Sequence, residues 1–478
     1  MEFDLTKPYC YYFNEITKIP HGSDNEKQLS DYLVRFAKEH DLKCKQDDMF
    51  NVIIYKKASV GYETAAPLMI QAHMDMVCEK NKDSAHDFVS DPLKLVCNDG
   101  ILSAEGTTLG ADDGTGVAYM LAILADDELP HPDLECVFTV QEETGLYGSM
   151  NVKKEDIKAH RMVSLDGGGE TNTLLSSAGG CRDHIVKKLI FVANECPTYR
   201  LAVGGLLGGH SGGEIHKEKG NANKLVMRII KEAMIEGAKI NLVSYEGGLK
   251  ENAIPRESEI VFASCTAQTK LQASFDKSTK AIKEELEFSD AGFKIEFKKT
   301  EPAKKCLSDQ CNREVCDLVY LLPNGFKARS MAIEGLTITS LNLGVVETIG
   351  DELILSVSIR SALNSGIENL IREIACLTEV FNASYSIHAH YPGWNYSEIS
   401  PMRDTLAQVI NELYDVKLEV IAAHGGCECG VFKAMHNDMD IVSIGPKAKY
   451  IHTPDEELDL ASFDRTYNIL STFVSACK

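Results

Sequence analysis

No stretch of the 478 residues approaches the roughly 18 consecutive apolar residues of a membrane span, so no transmembrane segment is expected. Positive charge is also short: 49 Lys and Arg stand against 71 Asp and Glu, a formal net charge of −22. That balance argues against sequence-independent binding to nucleic acid or to an anionic membrane. The fifteen cysteines include no zinc-ribbon spacing, because Cys427-Glu428-Cys429 and the five-residue rhythm of Cys306, Cys311 and Cys316 are not Cys-x-x-Cys. The glycine-rich run from Gly208 to Gly213 is not followed by Gly-Lys-Ser/Thr, which sets aside a phosphate-cradling loop. The residues after Met1 lack a basic region followed by an apolar core, so no secretory signal is expected. The reading is a cytoplasmic protein whose thiols are free.

What is present is alternation. The length exceeds that of a single core and predicts two domains. Lys27 to His40 has Leu29, Tyr32, Leu33 and Phe36 on one helical face. Short apolar runs at 51–55, 67–72, 134–140 and 162–165 predict strands, and 115–125 predicts a helix between two of them. Strands separated by helices imply an α/β fold with a mostly parallel sheet and helices on both faces. From about 181 to 394 the texture is α+β. Strands at 253–263 and 348–360 are each followed by a helix (270–287, 367–380) and another strand (293–298, 385–390), which suggests a weak internal duplication. After Trp394 the first pattern resumes, with a helix at 402–414 and strands at 418–422 and 441–444. Residues 1–180 and 395–478 are therefore expected to form one catalytic domain, interrupted by an inserted domain at 181–394.

The strand ends of the outer segments carry acids. His73 and Asp75 follow the run ending at Ala72, Glu142 and Glu143 follow the run ending at Val140, and Asp166 follows Leu165. Asp112-Asp113 opens the helical stretch. Each has a plain structural reading: Asp75 caps a turn, Asp112-Asp113 caps a helix, Asp166 ends a turn, and His452-Thr453-Pro454-Asp455-Glu456 is a loop. Together they place neighbouring carboxylates at the ligand-binding edge of a parallel sheet, where burial is costly without a cation.

The segments His73-Met74-Asp75, Gly110-Ala111-Asp112-Asp113-Gly114, Glu142-Glu143-Thr144-Gly145, Leu165-Asp166 and His452 to Glu456 resemble the dinuclear-zinc peptidases of the carnosinase and aminoacylase superfamily. Gly208 to His216, Gly220 to Leu225 and Gly426 to Gly430 resemble its aminoacyl-histidine dipeptidase branch. The likeness runs from about residue 10 to the end. It implies two divalent ions, zinc first with manganese or cobalt as alternatives. His73 and Asp166 would hold one, Glu143 and His452 the other, and Asp112 would bridge them, followed by a cis peptide bond. Asp75 would orient His73, Glu142 would be the general base, and His210 would polarise the scissile carbonyl. Asn252 and Arg360 would hold the substrate carboxylate, and Gly426 would approach the substrate through its backbone.

The implied enzyme cleaves unblocked dipeptides, of the Xaa-His kind or broadly, as a cytoplasmic homodimer whose inserted domain serves as lid and dimerisation surface. An N-acyl-amino-acid deacylase with the same metal chemistry, or a silent metal-binding protein, are the alternatives. Glu142 speaks against silence, since a binding site has no use for a second acid there. The three glycines after Asp166 and the Cys at 427 depart from the usual pattern.

Overall fold

In a computed structural model, residues 2–478 are described and fall into two compact units. One comprises the chain up to Ser176 with Trp394–Ala422 and Cys427–Lys478, and the other comprises Ser177–Gly393 with Ala423–Gly426. The tetrapeptide 423–426, read from sequence with the outer segments, thus groups with the middle one. No described helix is long and apolar enough to cross a membrane.

The outer unit is built on a six-stranded sheet in the order Lys43–Gln46, Val52–Lys56, Leu134–Thr139, Leu68–His73, Arg161–Ser164 and Asp440–Ser443. The last four strands run parallel, and the first two are antiparallel additions at one edge. Side chains alternate between two buried layers, as the two-residue period of a strand requires. Leu68, Ile70 and Ala72 join Leu134, Cys136 and Phe138 against the helices on one face. Met69, Val137 and Met162 join Trp394 and Phe432 on the other. Because both faces are covered, the central strands read as continuous apolar runs. Helix Ala111–Ala125 is itself buried over most of its length.

The middle unit is a nine-stranded sheet whose paired strands are all antiparallel. The duplication suggested by sequence has a larger form here. Thr198–Gly204, Ala222–Ile235, Asn241–Gly247, Ser258–Ala263, Gln268–Glu285 and Lys294–Lys299 make a strand–helix–strand–strand–helix–strand set. Gly179–Lys188, Asp309–Leu321, Thr337–Ile349, Glu352–Ser361, Asn364–Val380 and Ser384–Tyr391 make a second. In space each set orders its strands fourth, first, third, second, and the two meet through Gly247 and Val346. Each is ferredoxin-like in topology. The first set is nested in the second after its opening strand.

Two strand expectations need correction. Residues 348–360 are two strands of a hairpin that turns at Gly350, whose φ is +62° and suits glycine. Residues 253–263 are likewise a two-residue bridge strand and a separate strand from Ser258; Pro255 has no N–H to carry the ladder across. The expectation that all thiols are free also fails. Cys196 and Cys265 are disulfide-bonded, the pair lying two residues beyond the register pair Thr198 and Ala263 of adjacent antiparallel strands.

Asp183 in this sheet is fully buried, and among the described residues neither carboxylate oxygen meets a hydrogen-bond donor. Burial pushes its pKa up to about 6. A folded pKa above the unfolded one means stability is lost as pH rises from about 4 to about 6, and the deficit persists above that. Asp183→Asn is therefore expected to stabilise the fold at pH 8, by up to about 3 kcal/mol. The gain should shrink as pH falls toward 4, which paired thermal denaturation series would read. A gain independent of pH would exclude ionisation of Asp183 as its cause.

Candidate metal centre and active site

The parallel register sets His73 beside Thr139 and Gln71 beside Ser164, so the segments that follow these strands emerge along one sheet edge. From that edge come His73, the Glu142-Glu143 pair and Asp166. Asp112 stands in the first turn of helix Ala111–Ala125, and its peptide bond to Asp113 is cis. His452 lies in the turn before strand Glu457–Asp459. Gln141 and His452 hold left-handed backbone, with φ of +52° and +63°. Such strain in residues other than glycine persists only where surrounding structure enforces it.

Two groups of potential ligands overlap. His73, Asp112 and Asp166 each offer an atom within 4.8 Å of the others, and so do Asp112, Glu143 and His452. Asp112 is common to both: Oδ1 lies 3.1 Å from His73 Nε2, and Oδ2 lies 3.3 Å from His452 Nε2. Glu143 Oε1 lies 2.8 Å from His452 Nε2 yet is buried without a well-aligned hydrogen-bond donor among the described residues. That is the aspect two ligands present when they face a common ion. Glu142 and Glu143 also form a group with His73. Three carboxylates and two imidazoles, one carboxylate shared, could hold two divalent cations.

Burial dominates the electrostatics. It pushes Asp166 up to about 6, with Asp112 adding to the effect. Burial likewise raises Glu142 well above the carboxylate range, opposed by His73 and reinforced by Asp166, Glu428 and Glu143. Asp112 is pushed up by burial, but His452 and His73 outweigh this and hold it low. Asp112 and then Glu143 lift His452 to about 10. His73 is pushed down by burial, yet Asp112 and Asp75 hold it well above its ordinary value.

Several supports were not legible in the sequence. Asp75, expected to orient His73, meets the imidazole N–H through its backbone carbonyl at 3.0 Å, the carboxylate oxygen being 3.6 Å away. The carboxylate instead accepts from the backbone N–H groups of Glu142 and Glu143 at 3.0 and 3.2 Å, and from Ser23 Oγ at 2.8 Å. Asp75 therefore fixes the acidic pair more directly than the imidazole. Glu456 accepts from the N–H groups of Leu109, Gly110 and Ala111, clamping the loop that presents Asp112. Glu428 is fully buried beside Gln71 and Thr139, and burial pushes it up to about 7. The glycine after Asp166 has a reason: a side chain on Gly167 would overlap the backbone of Ile444 and Gly445.

His210, Asn252, Arg360 and Gly426 belong to the middle unit. His210 pairs with Ala253 in a short bridge, and Ser211 N–H donates to Asn252 O at 2.8 Å, so His210 and Asn252 are neighbours. Arg360 is nearly buried and donates to the Tyr391 hydroxyl at 3.4 Å, while its Nε lacks a partner among the described residues. A side chain on Gly426 would strike the Tyr391 ring. Burial, then Arg360, lowers the His210 pKa. His424, which sequence did not single out, contacts Ser340 Oγ at 2.7 Å; burial and Arg360 push it down to about 3. A buried guanidinium with an unpaired N–H is chemically suited to pair with a carboxylate.

The model of peptidase family M20/M25/M40 matches residues 69–476. The chain is 33% identical over 470 residues to the cytosol non-specific dipeptidase of Escherichia coli K12, covering 97% of this chain and 96% of that protein. The crystal structure of the aminoacylhistidine dipeptidase from Vibrio alginolyticus matches with a TM-score of 0.93 and 31% identity, over 100% of this chain and 98% of that one. The aminopeptidase PepT of Bacillus cereus, at 14% identity and a TM-score of 0.57 with both chains fully covered, is similar in fold alone.

Proposed function

Because the chain belongs to peptidase family M20/M25/M40, we propose that it hydrolyses the peptide bond of unblocked dipeptides with the help of two divalent metal ions, zinc in the first instance. The relatives named as dipeptidases support the substrate class. The observation that carries the mechanism is the pair of overlapping ligand groups sharing Asp112, with Glu142 at their side. His73 and Asp166 are assigned to one ion, Glu143 and His452 to the other, and Asp112 to both. Such ions supply a lowered water pKa near neutrality and positive charge for the developing oxyanion.

The protein's own groups do the rest. Glu142, with its pKa raised by burial, accepts a proton from the attacking water and returns it to the leaving amine nitrogen. Asp75 holds the backbone of Glu142 and Glu143 in place. His210 is assigned to donate to the scissile carbonyl oxygen, and Arg360 with Asn252 to bind the free carboxylate. The middle unit is assigned as lid and dimerisation surface on family resemblance. A cytosolic location follows the name of the Escherichia coli relative.

The test is a panel of free dipeptides, their C-terminal amides and N-acetyl amino acids. Free dipeptides should be cleaved, with amides about 10- to 100-fold slower, the scale of a lost charge-assisted hydrogen bond. Arg360→Ala should narrow that gap, mostly through KM. Equal rates on acid and amide would remove the carboxylate clamp. Turnover of N-acetyl amino acids at dipeptide rates would replace the reading with a deacylase.

A further inference from the structure

A second set of side chains of the metal-ligating kind, partly exposed, lies at the opposite end of the same sheet. His160 immediately precedes strand Arg161–Ser164, and His436 and Asp438 lie in the turn leading into its parallel neighbour Asp440–Ser443. The candidate active-site residue Asp166 follows the other end of the first strand, about 20 Å of extended chain away. Each of the three residues offers a ligand atom within 4.8 Å of the others. His160 Nδ1 is 2.8 Å from Asp438 Oδ1, and the two imidazole rings are 4.4 Å apart at 47°.

Tautomer and support both favour ligation. His436 Nε2 lies 3.1 Å from the Ile157 carbonyl. A carbonyl only accepts, so Nε2 carries a proton, and in the neutral ring Nδ1 is then the atom with the free lone pair, the arrangement found in metal-bound histidines. The loop bearing His160 is pinned from beneath: buried Glu135 accepts the N–H groups of Lys158 and Ala159 at 3.0–3.1 Å. The facing turn is held by Asp440 N–H to His160 O at 2.8 Å and Met439 N–H to His436 O at 2.9 Å. A simple ion pair between His160 and Asp438 needs no second imidazole against it and no fixed tautomer.

We propose that His160, His436 and Asp438 form a separate site for one borderline transition-metal cation of the zinc class, completed by water, that ties together the starts of two parallel strands. Two imidazoles and one carboxylate suit zinc, nickel or cobalt and disfavour calcium or magnesium. The site is independent of the active-site reading and would not take part in hydrolysis.

Equilibrium dialysis of the full chain against zinc, followed by elemental analysis, tests it. The double variant His160→Ala/His436→Ala should hold one zinc fewer than the wild type while cleaving a dipeptide at the wild-type rate. A loss at the active site would instead lower turnover, so the two sites are told apart. Equal zinc content in both proteins would overturn the proposal. In the unaltered protein, zinc should protect His160 and His436 from carbethoxylation, read by peptide mass spectrometry, and leave exposed His40 reactive. Absence of selective protection would also overturn it.

Discussion

Glu142→Gln is expected to leave the metal content of the protein close to that of the wild type while lowering kcat by about 10²–10⁴-fold, the usual contribution of a general base. The amide keeps the length and shape of the side chain and removes only its capacity to accept and return a proton. All five assigned ligands remain, and the backbone hydrogen bonds from residues 142 and 143 to Asp75 do not involve the altered group. Glu143→Gln makes the contrast, because its buried Oε1 faces His452 at 2.8 Å. That variant should lose metal as well as activity. Elemental analysis beside steady-state kinetics separates the two outcomes. Ordinary turnover in Glu142→Gln, or an emptied site, would mean that the roles within the acidic pair are wrongly assigned.

Asp112→Ala should have the widest effect of any single ligand change. Its two oxygens lie 3.1 and 3.3 Å from imidazoles belonging to different ligand groups, so its removal subtracts a donor from both. Both ions should be lost together, and activity should fall by at least about 10³-fold, since a bound ion is worth several kcal/mol in stabilising developing charge. His452→Ala touches one group only and should lower the content by one ion. If Asp112→Ala retained one ion at full occupancy, Asp112 would not be a shared ligand. Glu456→Ala, which removes the three hydrogen bonds holding the Leu109–Ala111 backbone just before Asp112, offers a milder version, about 10- to 100-fold in metal affinity, as for other supports of a ligand.

The sequence by itself determined the elements nearest the chemistry. Apolar runs such as Leu68 to Ala72 and Leu134 to Val140 fix strands by local pattern, and the acids immediately after them must lie where those strands end. Membership of a mostly parallel sheet with helices on both faces follows from the alternation of such runs with helices. The Asp-Asp, Glu-Glu and His-x-Asp pairs were therefore legible, because a short motif carries its own spacing.

What only the tertiary structure decided are the relations between residues far apart in the chain. Glu456 reaches the Leu109 N–H across 347 positions, and Ser23 reaches Asp75 across 52. Neither residue differs locally from an ordinary surface polar group. The Cys196–Cys265 pairing depends on the register of two antiparallel strands, and the nesting of one four-stranded set within another depends on strand order. Even the partner of His73 was settled by rotamer and loop path, which gave its N–H to the Asp75 backbone and released the carboxylate to hold Glu142 and Glu143. Periodicity and charge act over a few residues and are written in the sequence. Which backbone N–H a buried carboxylate satisfies is fixed only when packing brings distant segments together and excludes water from between them.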